Sequence, residues 1–195
     1  MKECFFAYLS RMRYIGRWSL MRNAMPENIQ EHSHMVAVLA HALGVIRRDV
    51  LHIPCNPEEA AAVALFHDSS EILTGDLPTP IKYHSRKIRD AYKQVETLAC
   101  NKLLDTLPPE LRPAYETLLT GETQAQVHDL VKAADKLSAY IKCIEERKAG
   151  NNEFLSAEGQ IRQLLEGYGM PEVDYFLAHF IPSFELTLDE LGTIE

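Results

Sequence analysis

The sequence predicts an all-α fold, and three observations carry that reading. Apolar residues recur at three- and four-residue spacing in segment after segment. No run alternates polar and apolar residues as a half-buried strand would. Asn56-Pro57, Gly75, Pro108-Pro109 and Gly150 punctuate the segments at helical lengths, as caps and breakers do. At 195 residues, 46% hydrophobic and 25% charged, the chain suits one globular domain over 1–195, with no internal repeat, low-complexity run or linker.

Taken in order, Phe5, Phe6, Leu9, Met12 and Ile15 mark a short amphipathic helix over 5–15. Gly16 to Asn23 breaks the period and places Arg17 beside the only tryptophan, Trp18; Pro26-Glu27-Asn28 then announces the next helix. From Asn28 to about Arg48, Ile29, Val36, Leu39, Ala40 and Leu43 trace one stripe, and His32 falls on it and points inward, whereas His34 and His41 lie elsewhere and read as exposed. Glu31 can orient the His32 ring or stand as a solvated charge.

Asn56 as cap with Pro57 in the first turn starts a helix expected to run to Leu73. Its alanines, among them Ala60 and Ala64, let neighbouring helices approach closely. It carries the stretch around which the chain is organised, Ala64-Leu65-Phe66-His67-Asp68-Ser69-Ser70-Glu71. On a continuous helix His67 and Glu71 are i and i+4 on one face, and Asp68 sits about 100° round. An imidazole beside a carboxylate suits a divalent metal and leaves Glu71 to handle a proton. The loop from Thr74 to Pro80 brings Asp76 and Thr79 back over that point.

Long amphipathic helices follow over 85–107, with Ile88, Tyr92, Val95 and Leu98 on the apolar stripe, and over 124–147, separated by a short helix over 111–119 that ends before Gly121. In the second long helix Leu130, Ala133, Ala134, Leu137, Ile141 and Ile144 form the stripe. Asp135 lies next to its centre between Lys132 and Lys136, and a salt bridge is a sufficient account of that placement. Helices over 154–168 and 171–180 complete the chain.

Several function classes are excluded or disfavoured. A formal charge of −8 argues against broad electrostatic binding to a nucleic-acid polymer or an anionic membrane. No apolar stretch reaches transmembrane length, and the start lacks a long apolar region with a cleavage site, so a cytoplasmic address is expected. Cys4, Cys55, Cys100 and Cys143 are far apart and form no C-x-x-C pair, which suggests reduced thiols.

Three separate helices thus each offer an inward candidate ligand: His32, the pair His67-Asp68, and Asp135. Two nitrogens and two carboxylates leave open positions on a divalent ion, as a catalytic site requires. In that order, on an all-α chain, they make the sequence resemble the HD-domain superfamily of metal-dependent phosphohydrolases, with its helical bundle. The likeness sharpens at Gly16-Arg17-Trp18, at Glu27-Asn28-Ile29-Gln30-Glu31-His32-Ser33, from His67 through Thr79-Pro80, and at Gly150-Asn151-Asn152-Glu153-Phe154. Together these resemble the bacterial HD-domain 5′-deoxynucleotidases over almost the whole chain.

The resemblance implies hydrolysis of deoxyribonucleoside 5′-monophosphates by a homodimer, with His32, His67, Asp68 and Asp135 as metal ligands. Glu71 and Asp76 match the catalytic carboxylates, Arg17 the phosphate contact and Trp18 the residue that senses the sugar. Asp76 and Thr79 are further candidate substrate contacts. The donor set admits Co, Mn, Zn, Fe or Mg. Residue types leave open which of Glu71 and Asp76 handles which proton. Other HD phosphohydrolases, acting on nucleoside triphosphates, alarmones or phosphodiesters, are the neighbouring alternative; their substrates call for more cations than Arg17, Arg22 and Lys82 supply. A non-catalytic HD scaffold is the remaining one, and would be expected to lack a ligand or Glu71.

Overall fold

The computed structural model describes residues 3–82, 84–120 and 125–192, and among them every regular element is helical. The first helix, α1 (Phe5–Leu9), tightens into a 3-10 turn over Ser10–Tyr14 rather than staying α-helical to Ile15. There the backbone extends, and Gly16 forms an isolated antiparallel bridge with Asn28.

Asn28 starts α2 (Ile29–Val45). Its side chain accepts from the Gln30 and Glu31 N–H groups, while Glu31 reaches back to the Asn28 N–H at 3.3 Å, a reciprocal capping box. Glu31 is therefore spent on the helix start and does not orient His32. The helix leaves its α-form through a π-turn at Ile46–Val50. His32 is fully buried, and His34 and His41 are exposed, as their spacing predicts.

The helix expected over 57–73 is the main departure. Asn56 caps α3 (Pro57–Phe66) as predicted, but the helix stops at the motif. The Ala64 carbonyl, which a continuing α-helix would offer to the Asp68 N–H, instead accepts from the His67 N–H at 3.4 Å and lies 2.7 Å from His67 Nδ1. Ser69 and Glu71 likewise bond back three residues, to Phe66 and Asp68, before the single turn of α4 (Glu71–Thr74). His67, Asp68 and Glu71 are therefore set by a tight turn rather than by one helical face. Gly75, at φ 72°, ends α4, and α5 (Thr79–Lys82) follows.

Ser85 caps α6 (Arg86–Leu104), whose C-terminal end alone is buried, at Ala99, Cys100, Leu103 and Leu104; the last three pack with Phe5, Leu107 and Leu119, while Ile88, Val95 and Leu98 of the predicted stripe are exposed. Next come α7 (Arg112–Thr120) and α8 (Ala125–Lys148); the expected boundaries at Gly121 and Gln124 lie outside the described residues. A 3-10 turn at Asn152–Phe154 leads to α9 (Leu155–Glu166) and α10 (Pro171–His179).

The main core lies where α2, α3 and α8 meet. Val36, Leu39 and Leu43 pack there against Ala60, Val63 and Ala64 and against Leu130, Ala134, Leu137 and Ile141. Alanines on α3 permit the close approach. Gly44 makes it possible at one end, because a Cβ there would stand 2.9 Å from the Pro57 Cα. His32, the end of α3 and Asp135 are thus brought to one place by the same packing that builds the core.

Candidate metal centre

His32 Nε2 lies 3.1 Å from Asp135 Oδ1 and 3.6 Å from Asp68 Oδ2, and His67 Nε2 lies 3.1 Å from Asp68 Oδ2. Ligand atoms of His32, His67 and Asp135 all fall within 4.8 Å of one another. Each ring is oriented from behind. His32 Nδ1 sits 3.2 Å from Ser138 Oγ, one turn along α8 from Asp135, and His67 Nδ1 donates to the Ala64 carbonyl, which can only accept. That fixes the His67 tautomer with the Nε2 lone pair facing Asp68.

Both Nε2 atoms are buried and, among the described residues, have no hydrogen-bond partner; nor has Glu71 Oε2. Buried polar atoms left unpaired cost free energy, and here the two histidine nitrogens each lie 3.1 Å from a carboxylate oxygen. A cation between them satisfies lone pairs that no donor in the described residues satisfies, so the residues present fit a divalent metal.

Electrostatics agree with this arrangement. Burial lowers the proton affinity of His32 and outweighs the neighbouring Asp135, with the Arg17 charge acting in the same direction as burial. Burial opposes ionisation of Asp68, but His67 and then His32 hold its carboxyl below the usual carboxylate range. Asp135 is lowered against burial in the same way by His32 and Lys136. Lys136 Nζ pairs with Asp135 Oδ2 at 2.9 Å, so the salt bridge suggested by the sequence exists while Oδ1 still faces His32. His67 is raised despite its burial because Asp68 adjoins it; its Nε2 attracts a proton or a metal ion.

Around the ligands, Glu71 is pushed up to about 9 by burial first and by the charges of Asp68 and Asp76 second. Asp76 is raised chiefly by burial. Both carboxyls are displaced toward the protonated form. Burial disfavours the Arg17 charge, yet Asp135, Asp68, Glu27 and Asp76 together more than offset that, and its Nη1 lies 3.5 Å from Asp68 Oδ2. Trp18, beside it, is half-buried, its ring 5.2 Å from that of Phe154. Thr79 stands apart: it is exposed at the start of α5, and no side-chain hydrogen bond joins it to these groups among the described residues.

Two participants escape sequence reasoning. Ser138 is three residues beyond Asp135 on one helix face, a spacing that could have marked it. Glu27, whose Oε2 accepts from Arg17 Nε at 2.9 Å and from Trp18 Nε1 at 3.0 Å, lies in one of the motif blocks, but no spacing there names its partners, because the bridge that brings it to them joins two loop ends.

The sequence model of the family described as YfbR-like 5′-deoxynucleotidase matches residues 4–184 of this chain. The chain belongs to that family. A 5′-deoxynucleotidase of Erwinia tasmaniensis is 48% identical over 189 residues, 96% of each chain, and one of Yersinia pestis is 49% identical over the same length and share. Among solved structures, an HD-domain phosphohydrolase of Listeria innocua superposes with a TM-score of 0.81 at 25% identity, covering 97% of this chain and 92% of that one. A cyanophage S-2L HD phosphohydrolase, bound to dA and one catalytic Zn2+ ion, shares the fold at a TM-score of 0.64 and 22% identity, over 93% of this chain and 96% of its own. This YfbR-like chain is thus an HD-domain phosphohydrolase in fold and family. Among its described residues no helix is long and apolar enough to cross a membrane.

Proposed function

We propose that this 5′-deoxynucleotidase hydrolyses deoxyribonucleoside 5′-monophosphates to the deoxynucleoside and phosphate, with His32, His67, Asp68 and Asp135 holding a divalent cation. The observation that carries the reading is the pair of buried Nε2 atoms of His32 and His67, without a hydrogen-bond partner among the described residues, opposite two carboxylates held below the usual range. A divalent cation bound there acidifies water and neutralises charge on a phosphoryl oxygen. Co, Mn, Zn, Fe and Mg all suit the mixed nitrogen and oxygen donors.

The chain's own groups supply the rest. Arg17 binds a phosphoryl oxygen through the end of its guanidinium left free by Glu27, and so orients phosphorus toward the ligands. Water attacks phosphorus, the bond from phosphorus to the 5′-oxygen breaks, and that oxygen takes a proton. Glu71 and Asp76 share the proton handling. Both are displaced toward the protonated form, so each can hold the proton that one step removes and another returns. Asp76 also hydrogen-bonds the sugar in this reading. In this reading the Trp18 indole, beside Arg17, meets the sugar and leaves no room for a 2′-hydroxyl, which favours deoxyribose. Thr79 is the outermost substrate contact of this reading. A homodimer in the cytoplasm completes it, on the strength of the resemblance; sedimentation as a monomer would remove the dimer.

The test is phosphate release from a panel of deoxy- and ribonucleoside mono-, di- and triphosphates with each of the five metals. Release confined to monophosphates and faster from deoxyribonucleotides is expected. Hydrolysis of triphosphates but not monophosphates would overturn the substrate assignment, and no metal-dependent release at all would point to a scaffold.

A further inference from the structure

Gly150-Asn151-Asn152-Glu153-Phe154 and Glu27 both belong to the motifs of the sequence, and neither touches the candidate ligands. Both converge on the loop that carries Arg17 and Trp18. The Gly16–Asn28 bridge sets Arg17 opposite Glu27, and the Arg17 N–H donates to the Glu27 carbonyl at 2.9 Å. Side chains follow the backbone, because Arg17 Nε and Trp18 Nε1 donate to the same atom, Glu27 Oε2.

Trp18 reaches that atom from φ 58°, a left-handed conformation that a bulky residue keeps only when its surroundings over-determine it. Its surroundings do so. The Trp18 carbonyl accepts from the Met21 N–H at 2.9 Å and from Asn23 Nδ2 at 3.4 Å, and its ring lies on the fully buried Phe154. Further along the loop, Asn151 donates to the Arg22 carbonyl and Glu153 accepts from the Arg22 N–H. Backbone strain held by several contacts around one indole is a feature of a position whose orientation matters.

We propose that Glu27 is a positioning residue for sugar selection: through one carboxylate oxygen it fixes the separation between the guanidinium that binds phosphate and the indole that meets the sugar. The inference rests on the deoxynucleotidase reading above. A 5′-nucleotide seated by its phosphate on Arg17 has its C2′ at a distance set by its own covalent structure. With the indole pinned to the same oxygen, a 2′-hydroxyl meets a wall that cannot turn aside, and only a rigid wall discriminates strongly against one added hydroxyl. A carboxylate is the group for the task, because it accepts two charge-assisted or indole hydrogen bonds at once.

The experiment measures kcat and KM for a deoxyribonucleoside 5′-monophosphate and its ribonucleotide with wild-type protein, Glu27→Met, Glu27→Gln, Trp18→Ala and the double variant Trp18→Ala/Glu27→Met. Methionine keeps the side-chain length without a comparable acceptor; glutamine keeps one acceptor oxygen. The deoxy-to-ribo ratio of kcat/KM is expected to fall on the order of tenfold in Glu27→Met and by less than about threefold in Glu27→Gln. Adding Glu27→Met to Trp18→Ala is expected to leave the ratio where Trp18→Ala put it, since Glu27 acts on the sugar through the indole. A uniform loss of activity with the wild-type ratio intact, or a further fall of the ratio in the double variant, would overturn the proposal. Should Glu27→Met fail to fold, Trp18→Phe, which keeps an aromatic ring and loses the Nε1 donor, carries the same expectation and the same refutation. Absence of selective hydrolysis in the wild type would instead overturn the function reading on which the proposal rests.

Discussion

Helix α8 carries two buried clusters of charge about three turns apart, one around Asp135 and one around Glu146, and they differ in whether their polar atoms are satisfied. At Glu146, Oε1 accepts from the Met25 N–H and from Lys142, and Oε2 accepts from the Ala24 N–H and from Asn151, both at 2.8 Å. Lys142 also donates to the Met25 carbonyl. At Asp135 the neighbouring His32 and His67 each leave a buried nitrogen unpartnered among the described residues, as Glu71 leaves an oxygen. The first cluster fastens the 22–25 loop to α8. The second brings the ligand atoms of His32, His67 and Asp135 within 4.8 Å of one another, as the proposed cation site requires.

Unsatisfied atoms alone do not make that distinction. Arg47 and the fully buried Glu172 also have nitrogens and oxygens unpartnered among the described residues, yet they are 3.6 Å apart and opposite in charge, a donor facing an acceptor across a gap. Around Asp135, while Lys136 and Arg17 meet the neighbouring carboxylates, the unpartnered atoms among the described residues, His32 Nε2, His67 Nε2 and Glu71 Oε2, are all potential electron-pair donors. Only a cation or protons can sit among them.

Substitution separates the clusters most sharply in activity. Asp68→Ala is expected to reduce phosphate release by at least about a thousandfold, ~4 kcal/mol of transition-state stabilisation, with little loss of thermal stability. A variant that unfolds early while retaining specific activity would reverse the roles of the two clusters. Glu146→Ala is expected to do the opposite, costing about 3 kcal/mol and lowering the melting temperature by about 10 °C, because it strands Lys142 in the core. Calorimetric melting checks it.

The clusters also differ in how they respond to ligand and to pH. Excess divalent cation, at a hundredfold over its Kd, is expected to raise the wild-type stability by about 2.7 kcal/mol and to leave Asp68→Ala unchanged. The Glu146 carboxyl is lowered from 4.5 to about 2, burial being outweighed by the bonds from Lys142, Asn151 and the loop N–H groups. A carboxyl depressed in the folded state contributes stability that is complete above its unfolded value and is lost as pH falls through the folded one. Part of the acid destabilisation between pH 4.5 and 2 is therefore expected to disappear in Glu146→Gln, measured against the wild type by denaturant unfolding.

Much of this was legible in the sequence because helices repeat. His32 and Asp135 sit on or beside apolar stripes whose period points them inward, and Asn28, Asn56 and Gly75 mark helix ends by local chemistry. What was not legible depends on partners distant in sequence. Lys142 and Glu146 look like an exposed i, i+4 pair until the 22–25 loop closes over them. Ile88, Val95 and Leu98 have the spacing of a buried stripe, but spacing cannot say that no other described element covers them. The break at His67 turns on a side chain competing for the Ala64 carbonyl, a contest between two hydrogen bonds that periodicity does not register.

The central claim is that His32, His67, Asp68 and Asp135 form a cation site, and equilibrium dialysis of the metal-stripped protein against Mn, Co or Zn tests it most directly. Wild type and Glu146→Gln are expected to retain one tightly held ion per chain, and His32→Ala and Asp68→Ala to lose it. Equal retention by all four proteins would contradict the account.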